Sequence, residues 1–226
     1  MVGPDPGAAR SGLAAVAALA VDRKFAALYT FESPDGSSRA VVATVAVDGS
    51  WRVDIPGGAL GGTADVSIVQ NTTGVFQCSL PSATNPINPA CVRVADPGKR
   101  VPKQYDPQVE RLFRQALRVF TDRQAALSVS TAQPLPGAQG GSCFSVDTIS
   151  ASMDAPADIG IYCYTPDGLL TAARVDFGTL TIASQPAAAP ASVQLPGPIV
   201  SGDPLGLESP PPTTAPVVIP SLAPSA

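Results

Sequence analysis

The sequence contains no histidine. That absence removes the side chain that titrates near neutrality. It excludes Ser-His-Asp and Cys-His catalysis, His-Glu-x-x-His zinc sites and histidine pH switches. Charge is also scarce: 14% of residues are Asp, Glu, Lys or Arg, and the net charge is −4. A nucleic-acid footprint needs an extended basic face, so nucleic acid is not an expected partner. No two cysteines stand in a Cys-x-x-Cys pair, and without histidine a zinc site would need all four cysteines together. The glycine-rich stretch 57–62 runs into Thr63-Ala64, not the Gly-Lys-Ser/Thr of a phosphate loop, and reads as a flexible turn. The apolar stretch 13–21 is far shorter than the ~20 residues that span a bilayer.

What remains for catalysis is thin. Asp154 and Asp158 could serve as a carboxylate pair, or a serine could pair with Lys99 or Lys103. The two aspartates straddle a turn and read more simply as turn residues. No enzymatic activity, cofactor or metal is therefore expected.

The four cysteines are Cys78, Cys91, Cys143 and Cys163. An even count at wide spacing fits two disulfides and an oxidising compartment, with buried free thiols as the alternative. Three connectivities exist, and Cys78–Cys91 with Cys143–Cys163 is favoured. The first would close a loop crowded with Pro81, Pro86 and Pro89. The second needs a hairpin turning about residue 153, at Met153-Asp154-Ala155-Pro156. Directly opposed antiparallel residues lie ~4.5–5.5 Å apart at Cα, within disulfide reach. Only Arg10 precedes the apolar stretch 13–21, and neither an Ala-x-Ala site nor a lipobox cysteine follows. An export signal is expected upstream of Met1, or already removed.

Prolines divide the chain. Eleven of the 25 fall in residues 185–226, a segment whose only charged residues are Asp203 and Glu208. Proline removes backbone donors and fixes φ, so 185–226 is expected as a disordered or polyproline-like tail, available to an envelope partner. Residues 1–7 read as a flexible lead and 8–184 as one monomeric domain.

Within that domain, 8–21 is alanine-rich and apolar all round: either a packed helix or a remnant of a signal segment. Alternation places Phe25, Tyr29 and Phe31 on one face of a strand, and Trp51 and Val53 on one face of another. Asp35-Gly36, Asp48-Gly49 and Asp167-Gly168 are turn signals. Further strands are expected at 39–47, 64–70, 74–79, 91–94, 127–132, 142–150, 158–165, 169–177 and 178–183. Asn71-Thr72-Thr73 is formally a glycosylation sequon. Lys99, Arg100 and Lys103 form a basic loop, either simply solvated or in contact with an anionic headgroup. Residues 106–126 read as one amphipathic helix, N-capped by Asp106 with Pro107 at its first position. Its apolar stripe includes Leu112, Phe113, Leu117 and Phe120. The fold class is α+β, an antiparallel meander with helices, not a βαβ repeat.

The order helix, Lys24-Phe25-Ala26-Ala27-Leu28-Tyr29 strand, Asp-Gly hairpins, Trp51-Arg52-Val53 resembles the start of the LolA-like lipoprotein-carrier superfamily. The stretch Gly160-Ile161-Tyr162-Cys163-Tyr164-Thr165-Pro166-Asp167-Gly168-Leu169-Leu170-Thr171 is similar to that family's late hairpin. The likeness covers residues 8–183 and is greatest to the secreted or lipid-anchored actinobacterial branch, which includes the LppX/LprG-type envelope lipoproteins. The resemblance implies a strongly bent antiparallel sheet, an incomplete β-barrel, with helices on its concave side. It implies an extracytoplasmic envelope protein that holds a lipid or lipoprotein acyl chain between sheet and helices. The implied lining is Phe25, Tyr29, Phe31, Trp51, Val53, Leu112, Phe113, Leu117 and Phe120. The same residues would equally form the filled core of a structural or interaction domain without ligand. The lipid-anchor cysteine of the lipoprotein branch is absent. Arg52 is the nearest match to the carriers' concave-face arginine, but it alternates away from Trp51.

Overall fold

The computed structural model describes residues 6–83, 86–149 and 156–209. The chain opens with helix α1, Pro6–Asp22. Six strands follow: β1 Phe25–Glu32, β2 Ser38–Val45, β3 Trp51–Ala59, β4 Ala64–Gln70, β5 Val75–Leu80 and β6 Cys91–Ala95. After a connection bearing helix α2, Gln115–Thr121, come β7 Leu127–Ala132, β8 Ser142–Thr148, β9 Gly160–Tyr164, β10 Leu170–Val175 and β11 Gly178–Ile182. All eleven strands share one antiparallel sheet, in the order β6-β5-β4-β3-β2-β1-β11-β10-β9-β8-β7. Two meanders are thus fused through β1 and β11, where Tyr29 faces Ile182 and Phe31 faces Leu180. The sheet is bent but open, with β6 and β7 as its edges. The fold is α+β, as the alternation of apolar and polar residues predicts.

Local chemistry explains the turns. Asp35 and Asp48 each accept the N–H two residues on, from Ser37 at 2.9 Å and Ser50 at 2.8 Å. Gly49 follows at φ +86°, a conformation that side chains disfavour. Asn71 of the sequon makes the same turn, accepting the Thr73 N–H at 2.8 Å.

The two faces of the sheet bury different things. One face carries Tyr29, Phe31, Val53, Ile68, Tyr162 and Leu180 together with both helices, in a single large apolar core. Each large side chain buried there contributes about 1.5–3 kcal/mol. The opposite face carries two small clusters, each built on a disulfide. Cys78–Cys91 packs with Val69 and Phe76, and Cys143–Cys163 with Leu135 and Ala172. Both pairs face each other directly across antiparallel strands, with Cα atoms 4.0 Å apart, in the favoured connectivity. The expected turn at 153 lies mostly in 150–155, outside the described residues.

The alanine-rich N-terminal segment is a packed helix. Ala9, Leu13, Ala17 and Ala20 form its buried stripe, while Leu19 is 52% exposed, so it is packed on one side and not all round. Its C-terminal end is fixed by the β9–β10 turn, where Arg23 pairs with Asp167. Gly168 lies there at φ +87°, and a Cβ on it would come within 2.4 Å of the Ala20 nitrogen. Of the expected flexible lead 1–7, residues 1–5 lie outside the described residues, while Pro6 and Gly7 belong to α1.

Two expectations are corrected. Residues 106–126 are not one helix. A 3-10 turn at Val109–Leu112 precedes the short α2. Asp106 does not cap an α-helix; its carboxylate takes the Gln108 N–H at 2.8 Å and the Arg111 guanidinium, and Gln108 is left at φ +71°. The local Asx turn competes with helix initiation and wins.

The second correction concerns the proline-rich end, whose described residues 185–209 lie against the sheet. It bonds Ala26 through Ala187 and crosses the outer face beside Val69 and Phe76 by way of Val193 and Leu195. It then pairs with Cys91 at the β6 edge and turns onto the helix-bearing face at Leu205. Proline carbonyls serve as acceptors here: Val47 donates to Pro190 and Cys91 to Pro198. Non-proline residues between them supply the donors. This strap covers an edge that would otherwise be open to pairing. Residues 210–226 lie outside the described residues.

Candidate functional site

The nine residues proposed as ligand lining are brought together. β1 supplies Phe25, Tyr29 and Phe31, β3 supplies Trp51 and Val53, and the 109–121 segment supplies Leu112, Phe113, Leu117 and Phe120. All nine are buried in one apolar cluster. Tyr29 meets Phe113 edge-on at 5.0 Å, and Phe120 meets Tyr162 edge-on at 4.9 Å. The Tyr29 hydroxyl donates to the Leu170 carbonyl at 2.9 Å, which satisfies it inside the core. Burial pushes the Tyr29 and Tyr164 phenols up, so both stay neutral.

Two of the nine also border open space. Phe31 lines a recess of about 340 Å³ beside the glycine-rich turn at 57–62. Trp51 lines a cavity of about 210 Å³ between β3–β5, the loop 98–101 and α2. This second cavity has the composition of a binding site. Trp51, Val75, Val101 and Val119 give it an apolar floor, and Lys99, Arg100, Arg114 and Arg118 ring it. Its volume is below the ~300–1,000 Å³ of typical small-molecule pockets, so it fits part of a ligand better than a whole one.

The walls are held by hydrogen bonds to backbone groups, and Asp22 and Asp158 act on Arg114 and Arg100 only from beyond ion-pair contact. Gln70 accepts the Gly98 N–H at 3.0 Å and pins the loop to β4. Arg118 donates to the Gly98 carbonyl, Arg100 to the Pro156 carbonyl at 2.9 Å and Arg114 to the Val21 carbonyl at 3.0 Å. Burial and the neighbouring Arg118 push the Arg114 pKa down, partly countered by Asp22. These two guanidiniums repel each other across one turn of α2.

The fifth cation, Arg111, is neutralised. It pairs with Asp106 at 2.7 Å and Asp158 at 3.3 Å. Glu110, buried beside it, faces the same cavity with its Oε2 unpartnered. Burial, then the charge of Asp106 and a hydrogen bond to it, hold the Glu110 carboxyl well above the usual carboxylate range. Burial likewise raises Asp158, against the pull of Arg111. Asp158 is thus an ion-pair residue, and Asp154 lies outside the described residues. Arg52 bonds Asp54 at 2.6 Å and the Gln194 carbonyl, away from Trp51 as its position in the strand predicts.

No protein-family model matches this sequence, and no curated protein matches it.

Of the ring of cations, Lys99 and Arg100 belong to the basic loop that the sequence singles out. Arg114 and Arg118 do not stand out there, because they read as the solvated side of an amphipathic helix. Glu110 four residues before Arg114 and Asp122 four residues after Arg118 make that line read as an ion-paired helix face.

Proposed function

We propose that this chain is an extracytoplasmic, non-catalytic cell-envelope protein that binds a lipid or lipoprotein acyl chain between its sheet and helices. In this reading the helices lie on the concave side of the bent sheet, as in the LolA-like carriers that the sequence resembles. The observation that carries it is the cavity at Trp51, with an apolar floor of β3 and β5 side chains on one side and Val119 of α2 on the other. A short, broken helical segment is easier to displace than a long continuous helix, so α2 is the element that would yield to a longer chain. Two cross-strand disulfides fit an oxidising compartment. The protein acts as a monomer.

A second reading is a structural or interaction domain with a filled core. It is favoured by the seven proposed lining residues that border neither the Trp51 cavity nor the Phe31 recess. An envelope partner would then engage residues 210–226, since 185–209 are occupied by the sheet itself.

Organic-solvent extraction of the purified full-length chain, followed by mass spectrometry, separates the two. Near-stoichiometric lipid supports the carrier reading. No lipid, together with no uptake of an added amphiphile, supports the filled core.

A further inference from the structure

The Trp51 cavity is unusual in its charge. The protein is acidic overall, with 14 basic and 18 acidic residues, yet five of those basic side chains line this one cavity. The one acidic side chain that lines it, Glu110, is buried, and burial and the charge of Asp106 push its carboxyl well above the usual carboxylate range. Arg111 is matched by Asp106 and Asp158. Among the described residues, Lys99, Arg100, Arg114 and Arg118 have no carboxylate in ion-pair contact. Three of them donate to backbone carbonyls, which position a guanidinium without cancelling its charge.

Such a ring calls for an anion with several acceptor oxygens. Guanidiniums present parallel N–H donors that match a phosphate, and a dianion or monoanion between Arg114 and Arg118 relieves their mutual repulsion. The apolar floor calls for hydrocarbon. One ligand satisfies both.

We propose that the mouth of the Trp51 cavity binds the phosphate of an anionic phospholipid headgroup, with Lys99, Arg100, Arg114 and Arg118 around it and the start of the acyl chain over Trp51. This deepens the carrier reading above and rests on it. It names the lipid class: anionic glycerophospholipids or their lyso forms, in preference to zwitterionic or neutral ones.

Trp51 is the only tryptophan in the chain, so its fluorescence reports on this cavity alone. The test titrates the full-length protein with lysophosphatidylglycerol, lysophosphatidylcholine of the same chain length, dodecyl maltoside and inorganic phosphate, each below micelle formation. The expected result is a saturable Trp51 shift, with the anionic lysolipid binding about tenfold or more tightly than the zwitterionic one. Lys99→Gln with Arg118→Gln, both exposed positions, should erase that preference while dodecyl maltoside still binds. Equal affinity for all three amphiphiles would overturn the headgroup proposal and leave the carrier reading intact. Inorganic phosphate binding as tightly as the anionic lysolipid would also overturn it, pointing to a free-phosphate site. No response to any amphiphile would sink both.

Discussion

Gln77 and Leu205 pair through both ends of the glutamine side chain. Its Nε2 donates to the Leu205 carbonyl at 2.9 Å, and its Oε1 accepts the Leu205 N–H at 2.6 Å. The glutamine is buried, so it behaves as an extra rung that ties the strap to β5. Gln77→Ala should cost about 1–3 kcal/mol, because it strands buried backbone groups. A chain ending at Ser184 should lose far more and aggregate through the bared β6 edge. A chain ending at Ser209 should match the full-length protein. Urea midpoints of the three variants decide this; an unchanged midpoint for the Ser184 truncation would show that the strap adds nothing to stability.

The disulfides make a second prediction. They link residues 13 and 20 apart in sequence. Closing loops of that size lowers the entropy of the unfolded chain, so each pair should contribute about 2–4 kcal/mol. Cys78→Ala with Cys91→Ala, and Cys143→Ala with Cys163→Ala, should each lower the unfolding midpoint, and their effects should add across the sheet. The check is denaturant unfolding with and without reductant. Reductant should shift the parent protein toward the double variants and leave a four-alanine variant unmoved.

Glu110 predicts a pH dependence. Its native pKa lies above its ordinary value of 4.5, so the folded state holds this proton more tightly than the unfolded state. Stability therefore falls as pH rises from that value through the raised native pKa. Asp158 adds a loss of the same sign. Glu110→Gln removes the larger part while keeping a donor toward Asp106. Thermal midpoints should show the variant gaining on the parent as pH rises above the ordinary carboxyl value of 4.5. A gap that narrows over this range would mean that Glu110 is ionised in the native protein.

Much of this fold was legible in the sequence. Strands β1 and β3 follow from period-two alternation, β4, β5 and β10 read as short apolar runs buried on both faces, and several turns follow from Asp-Gly and Asn-Thr-Thr signals whose side chains bond the backbone two residues on. Pairing of Cys143 with Cys163, favoured among three connectivities from their spacing and the turn expected at 153–156, is the one the structure has. The 106–126 segment was legible as an apolar stripe, since Val109, Leu112, Phe113, Ala116, Leu117 and Phe120 are all buried. It was not legible as a broken element, because Asp106-Pro107 reads the same before a helix and before an Asx turn. The strap was missed because proline density counts lost donors and ignores carbonyl acceptors. The candidate site was half legible: Trp51 and the 99–103 loop stood out, but periodicity does not reveal that Arg114 and Arg118 border a gap.

The central claim, that an acyl chain enters beside Trp51, is tested most directly by quenching. A lysophospholipid carrying bromine atoms on its acyl chain is added to the full-length protein below micelle formation, and Trp51 emission is recorded. The account predicts saturable quenching of most of that emission, reversed by the unlabelled lipid. Emission that stays unquenched while the lipid is shown to bind elsewhere, or not at all, would contradict it.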